Sequence, residues 1–229
     1  MTSPLIIIGA GGHGAEIAAY ALEMGLLLVG AIDDGKSKGA WQTSQIIGGM
    51  NELPALCQAP SEVHFITAVG SNDLRKMMVF KIAGLSLSNL KPFTLQHTSA
   101  WTGVDVQIGE GTLLAPNVIV TTRVRIGRHC ILNIRASVSH DCHIGDFVNI
   151  NPAATLCGNV TVGDGSFIGA GAVVKEKITI GRGVTVGAGA VVIRDLPDGV
   201  TAVGVPAHII TTVKTHCAAF TSRTRAPQT

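Results

Sequence analysis

His140 is followed directly by Asp141 in the run Leu132-Asn133-Ile134-Arg135-Ala136-Ser137-Val138-Ser139-His140-Asp141-Cys142-His143. An imidazole beside a carboxylate is the unit of general-base chemistry. The ring takes a proton near neutral pH, and the acid fixes its tautomer and stabilises the imidazolium that forms. A solvated surface pair would read the same, so the chemistry depends on the fold that presents it. A second signature lies near the other end of the chain. Gly9-Ala10-Gly11-Gly12-His13-Gly14 lets the backbone approach a phosphate, and a helix opening there favours its negative charge. Asp33 and Asp34 follow where a carboxylate could accept from a ribose or sugar hydroxyl. The same glycines would also serve a plain strand-to-helix turn, and His13 either donates to a phosphate or caps the helix. Asn72, in Gly70-Ser71-Asn72-Asp73, is either a helix N-cap or a ligand contact.

His129, His140 and His143 raise metal chemistry, since zinc accepts three such ligands. No third histidine has an evident geometric place beside the other two, so no metal is expected. The five cysteines are an odd number with no CxxC pair, which fits a reducing cytoplasm.

What must hold His140 and Asp141 is a repeat. Every sixth residue from Ile108 through Leu114, Val120 and Ile126 to Val192 is aliphatic, and the register never slips. The residue two before each is mostly small, as at Thr112, Ala136, Cys142 and Ser166. Gly or Asn often comes next, as at Gly109, Gly127, Asn133 and Gly145, where a tight turn asks for a conformation that a Cβ penalises. Six residues make one short strand and one turn. Three such hexads close a triangular coil, and roughly five coils stack as a parallel β-helix. Neither a period of about 3.6 nor one of about 2 explains the pattern. Val138 and Cys142 then point inward, which leaves His140 at a turn outside the coil. Cys130 and Cys142 become core fillers, and His143 faces outward.

In front of the repeat stands a small α/β unit. The apolar run 5–8 is a buried strand, 15–22 a helix, 26–32 a second strand, and 63–69 a third. Residues 36–47 read as a surface loop and 51–56 as a short helix, and 74–83 as a helix with Arg75 and Lys76 outward. Strand, glycine turn, helix, strand and acid together make a Rossmann-like nucleotide-binding unit. The chain thus divides into 1–94, 95–207 and a tail, 208–229, whose Ser, Thr, Arg and Pro content suggests fraying after one helical turn.

The formal net charge of +2 and 14% charged residues offer no basic stripe for nucleic acid. Apolar residues are broken every few positions by Gly, Asn or Asp, so no run reaches the roughly 20 that a spanning helix needs. The N-terminus has no basic region and runs straight into the glycine motif, unlike a secretory signal. A nicotinamide-dependent oxidoreductase would need a large first domain and catalytic residues outside the repeat, and neither is present.

The hexapeptide repeat, the run Asn133 to Gly145, Asn151-Pro152-Ala153-Ala154-Thr155-Leu156-Cys157-Gly158 and Val203-Gly204-Val205-Pro206-Ala207 together resemble bacterial sugar acetyltransferases of the NeuD/PglD type. The glycine motif, Asp33-Asp34 and Ala68-Val69-Gly70-Ser71-Asn72 match that family's small nucleotide-sugar domain. The likeness covers nearly the whole chain up to Ala207. It implies a left-handed β-helix assembled as a homotrimer, with active sites between subunits. Acetyl-CoA would lie along the groove between two β-helices, held by backbone at Gly158, Ala170 and Ala188 and by the turn Gly204-Val205-Pro206. A nucleotide-linked amino sugar would hang from Gly11, Gly12, His13, Asp33, Asp34 and Asn72. His140 would be the base, Asp141 its orienting acid, and Asn133 would stand near the acceptor amine. The implied reaction is direct N-acetylation of a nucleotide-linked dideoxyamino sugar, for lipopolysaccharide, capsule or protein glycan. O-acetylation of sialic acid is the alternative within the same fold. A non-enzymatic sugar-nucleotide scaffold is the third reading, and it requires His140 to be dispensable. The sequence departs from the family where Asn149 replaces a histidine of some members, and where His208 follows the Gly-Val-Pro-Ala turn in place of a more basic residue.

Overall fold

A computed structural model describes residues 3–42, 44–58 and 61–212. The first part is a six-stranded sheet with helices on both faces. Its elements are β1 (Leu5–Ile8), α1 (Gly12–Glu23), β2 (Leu28–Ile32), β3 (Gly39–Trp41), β4 (Ser44–Gly48), α2 (Leu53–Leu56), β5 (Val63–Thr67), α3 (Asn72–Gly84) and β6 (Leu90–Pro92). The strand order is β3-β4-β2-β1-β5-β6, with every neighbour parallel except the β3–β4 hairpin. All four residues of β1 are buried. They alternate between faces, as a strand must. Leu5 and Ile7 pack with Ile17, Ala18 and Ala21 of α1, while Ile6 and Ile8 pack with Leu53 of α2 and Ile82 of α3.

The expected surface loop at 36–47 is instead largely the β3–β4 hairpin. Its composition is polar, but Trp41 and Ile46 are buried in the same cluster as α1, and that burial holds the pair of strands on the sheet.

From Leu95–Gln96 to Val191–Val192, two-residue strands recur every six residues. Up to Val173–Val174, each pairs in parallel with the strand eighteen residues on, as Leu113 does with Ile131 and Arg125 with His143, and three sheets result. This is a left-handed parallel β-helix. The inward aliphatic residues from Leu114 to Val192 are buried, and only Ile108 at the open end is partly exposed.

The glycines obey a different rule from the one expected. The left-handed turn residue comes three positions after the aliphatic one, recurring from Asp105 through Asn117, His129, Asp141 and Ala153 to Gly189. Gly109, Gly127 and Gly163 have ordinary φ. They are required by close stacking of successive coils. A Cβ on Gly109 would come within 2.5 Å of the Gly127 carbonyl carbon, and one on Gly163 within 2.6 Å of the Arg182 nitrogen.

The α/β unit sits on one face of the prism. Leu113, Ile131 and Asn149 point out of the coil there and are nevertheless buried, whereas Gln107, Arg125, His143 and Thr161 on another face are exposed. Arg75, expected outward, is wholly buried at this junction. The last coil ends in Val200–Val203, which pairs antiparallel with His208–Thr212. A strand therefore stands where one helical turn was expected, because it can extend an open sheet edge. The rest of the expected tail, 213–229, lies outside the described residues. No helix among the described residues is long and apolar enough to cross a membrane.

Candidate functional site

His140 stands on an edge of the β-helix, directly before Asp141, whose φ of 62° makes the turn. The ring is about half exposed. Its Nδ1 lies 2.7 Å from Asp141 Oδ2. One coil earlier, Arg123 donates to the same carboxylate, Nε to Oδ1 at 2.7 Å and Nη2 to Oδ2 at 2.9 Å. The hydrogen bonds from Arg123 first, and then from His140, hold the Asp141 carboxyl down at about 2. An ionised carboxylate can only accept. The Asp141 contact therefore places the proton of neutral His140 on Nδ1 and leaves the Nε2 lone pair free, as a general base requires.

The sequence reading missed Arg123. Its signal was available once the repeat was seen, because it stands eighteen residues before Asp141 and so directly beneath it in the stack. Gly158, eighteen residues after His140, completes the column. A Cβ there would lie 2.5 Å from His140 Cε1 and 2.6 Å from Nε2. The absence of a side chain at Gly158 is what gives the imidazole its space. The next amide, Asn159 N–H, donates to the His140 carbonyl at 2.8 Å and fixes the two coils together.

Asn133, Ala170 and Ala188 occupy the neighbouring edge, beyond the strand Ser137–Val138. The Gly204 carbonyl joins them by accepting from Val191 N–H at 3.0 Å, and Val205 beside it is exposed. Asn133 Oδ1 accepts from Ile134 N–H at 2.7 Å, a turn contact. Within one chain, then, Asn133 and the Ala170–Ala188 column are not brought onto the edge of His140, and Gly158 is. The amides of Gly158, Ala170 and Ala188 have no acceptor among the described residues.

At the glycine loop, α1 begins at Gly12 with Gly11 as an N-cap that offers no side chain. Nothing lies within 4 Å of where a Cβ would stand on Gly11 or Gly12, so their backbone is open to a ligand. Gly14 has a different reason, since a Cβ there would strike the Gly9 carbonyl oxygen. Asp33 ties the loop: Oδ2 accepts from Ala10 N–H at 2.8 Å and Oδ1 from Gly35 N–H at 2.9 Å. Asp34 accepts from Met50 N–H at 2.7 Å and from Lys81 Nζ at 3.2 Å, and the Met50 bond leads in drawing its carboxyl below the usual range. His13 does not cap the helix; its Nδ1 pairs with Glu16 Oε2 at 3.0 Å.

Asn72 is not the N-cap either. Ser71 is, accepting from Leu74 N–H at 3.3 Å. The Asn72 amide donates instead to the Gly165 and Ser166 carbonyls of the β-helix at 2.8 and 3.0 Å. It thereby also makes a contact between the two parts of the chain. Asn149 is buried in the same junction.

The three histidines weighed as metal ligands are dispersed. His129 is buried between Phe147 and Phe65, with ring centroids 5.3 and 6.3 Å away, and His143 lies exposed on a strand. Among the described residues, no three His, Cys, Asp or Glu side chains are grouped to hold a metal. A cavity of about 630 Å³ between α3, β6 and the edge bearing His129 does not include His140.

Residues 4–82 match the PglD N-terminal domain, and residues 141–176 and 159–194 match the bacterial transferase hexapeptide (six repeats). Comparison with curated proteins gives no match. Among solved structures, the acetyltransferase domain of PglB from Neisseria gonorrhoeae FA1090 is 34% identical, with a TM-score of 0.84 over 91% of this chain and 100% of that one. PerB from Caulobacter crescentus, in complex with CoA and GDP-perosamine, is 33% identical, with a TM-score of 0.85 over 92% of this chain and 99% of that one. WeeI from Acinetobacter baumannii AYE is 30% identical, with a TM-score of 0.81 over 91% and 100%.

Proposed function

The chain belongs to the NeuD/PglD-type sugar acetyltransferases, and we propose that within this family it transfers the acetyl group of acetyl-CoA to the amine of a nucleotide-linked dideoxyamino sugar. The observation that carries the reading is the column Arg123–Asp141–His140–Gly158: an anchored imidazole with a free Nε2 over a side-chain-free floor. N-acetylation is preferred over O-acetylation because PerB was solved with CoA and GDP-perosamine, an amino sugar nucleotide.

The sugar amine attacks the thioester carbonyl while His140 Nε2 takes its proton. Asp141 holds the ring and stabilises the imidazolium. The tetrahedral intermediate collapses by expelling the CoA thiolate, which takes the proton back from His140. An open backbone amide, with Gly158 the one nearest the ring, would stabilise the oxyanion. No acyl-enzyme is needed. Burial pushes the Cys142 thiol up to about 11, and its Sγ is spent on the Cys157 carbonyl at 3.2 Å, so it is not a nucleophile.

We further propose a cytoplasmic homotrimer in which the His140 edge of one subunit meets the Ala170–Ala188 edge of the next. Exposed Trp101, Val104 and Ile119 support such an assembly, because large apolar residues clustered on a surface mark contacts. Acetyl-CoA would then lie against the free amides of Ala170 and Ala188 and the turn at Gly204-Val205-Pro206. The nucleotide would lie on Gly11 and Gly12 beside His13, with Asp33 and Asp34 shaping the loop.

The test is CoA release, read with a thiol reagent, across UDP-, GDP- and dTDP-linked 4-amino sugars and free sialic acid. Turnover of one amino sugar, reduced about 10²- to 10⁴-fold by His140→Ala, is expected. Turnover of sialic acid alone would assign O-acetylation instead, and unchanged activity in His140→Ala would sink the base assignment.

A further inference from the structure

We infer that Arg75, with Asn72 and Asn149, forms a clamp that sets the position of the glycine loop relative to the β-helix, making Arg75 a positioning residue for acetyl transfer. The inference rests on the transferase reading above.

The guanidinium is wholly buried and every one of its nitrogens is bonded. On the β-helix side, Nε donates to the His129 carbonyl at 2.9 Å, and Nη2 to the Phe147 carbonyl at 3.0 Å and to Asn149 Oδ1 at 2.7 Å. On the α/β side, Nη1 donates to the Val69 carbonyl at 2.9 Å and Nη2 to Asn72 Oδ1 at 3.2 Å. The two asparagines cross the junction in opposite directions. Asn149 Nδ2 donates to the Gly70 carbonyl at 2.6 Å, and Asn72 Nδ2 to those of Gly165 and Ser166.

None of these partners is a carboxylate. A buried cation without a counter-ion is a costly way to fill space, and an apolar side chain of similar size is often no less stable. What the guanidinium adds is direction, because its donors form a rigid fork. The junction also buries apolar residues such as Leu113 and Ile131, but apolar contact is non-directional. The clamp also reaches the loop itself. Val69, whose carbonyl Arg75 holds, lies against Gly9, where a Cβ would stand 3.0 Å from Val69 Cγ2 and from the Ala68 oxygen. A sugar nucleotide gripped at Gly11 and Gly12 must present its amine at a His140 edge on the separate β-helix. Misplacement by about 1 Å costs about 10²-fold in rate.

Arg75→Met keeps the bulk and removes the fork. With the nucleotide-linked amino sugar that the native protein turns over, kcat should fall at least tenfold. The dissociation constant for that sugar nucleotide and the KM for acetyl-CoA should stay within about twofold, since the loop and the CoA groove are intact. Arg75→Lys should fall between. Should Arg75→Met not fold, Asn149→Ala removes two of the junction contacts and should show the same split, to a lesser degree. Native kcat in a folded Arg75→Met would overturn the inference. So would parallel losses in kcat and in binding of both substrates, which would make Arg75 only a structural residue. A native protein silent on every acceptor would instead defeat the transferase reading.

Discussion

Gly158→Ala adds one methyl group and tests the site at its most constrained point. The backbone should accept it, since Gly158 has no left-handed φ. The new Cβ would stand 2.5 Å from His140 Cε1, 2.6 Å from Nε2 and 3.1 Å from Nδ1. Ordinary contact between carbon atoms begins at about 3.5 Å. The ring must therefore move by about 1 Å, the difference between 3.5 and 2.5 Å. It cannot do so by translation alone, because Nδ1 is tethered to Asp141 at 2.7 Å and that carboxylate is in turn gripped by Arg123. Either the His140–Asp141 bond lengthens or the imidazole swings outward. Both move Nε2, and a displacement of that size costs about 10²-fold in rate. Stability should hardly change, because the ring is about half exposed and can swing into solvent. The expected result is kcat down about a hundredfold in the CoA-release assay, with the melting temperature within about 2 °C of native, the scatter of a neutral surface change. Native kcat in Gly158→Ala would refute the argument, because it would mean the ring is not over Gly158 when it takes the proton. A lost melting transition would refute the claim that the clash falls on a movable side chain.

Asp141→Asn should lower kcat about ten- to a hundredfold, because a neutral amide no longer stabilises the imidazolium; an unchanged kcat would remove the orienting role. With Asp141 held at about 2 by Arg123, native activity should show no acid limb from this carboxyl above about pH 4, and a pH–rate profile of Arg123→Met should reveal one shifted toward the ordinary carboxylate range. Stability should depend on His129, whose pKa is lowered to about 4, chiefly by burial and then by Arg128 and Arg75. As pH falls through 6.5 the unfolded chain takes up this proton and the folded chain does not. The contribution of neutral His129 is therefore complete above pH 6.5 and drops by about 3 kcal/mol as pH approaches 4. Denaturant unfolding at pH 7.5 and 4.5 should show that loss, and His129→Phe should reduce it. Thr112→Val removes a hydroxyl that donates to the Gly127 carbonyl at 2.9 Å and accepts from Cys130 N–H at 3.0 Å. Leaving two buried backbone groups unpaired should cost about 2 kcal/mol in unfolding free energy, with CoA release unchanged.

How far the sequence reaches into this molecule depends on whether a residue belongs to a period. Leu114, Val138 and Ile168 announce the β-helix because each repeats a chemical demand, an apolar chain pointing into a narrow interior, at a fixed interval of six. The same period places His140 and Gly158 in one column, so the edge bearing His140 was legible even though no two of its members except His140 and Asp141 are adjacent. Arg123 was legible in principle by the interval of eighteen. It was missed because a charged residue at a turn satisfies any local reading.

Arg75 is a different case. Its neighbours on α3, Leu74, Met77 and Phe80, are exposed, while Arg75 itself is buried, so hydrophobic periodicity points to the wrong face of the helix. The helix is dictated by Ser71 at its cap and by its own spacing, but at the junction Arg75 is held by the His129 and Phe147 carbonyls and by the Asn149 side chain, all more than fifty positions away. A backbone carbonyl carries no side-chain identity, so no choice of residue at 129 or 147 records that Arg75 is held there. What the sequence does record is that the outward row Leu113, Ile131, Asn149 and Phe167 is apolar at every place but Asn149, where a free face of a β-helix would be polar. That row says that something covers the face. The direction from which it is covered, and hence how the glycine loop addresses the edge bearing His140, is set by the fork of a single buried arginine.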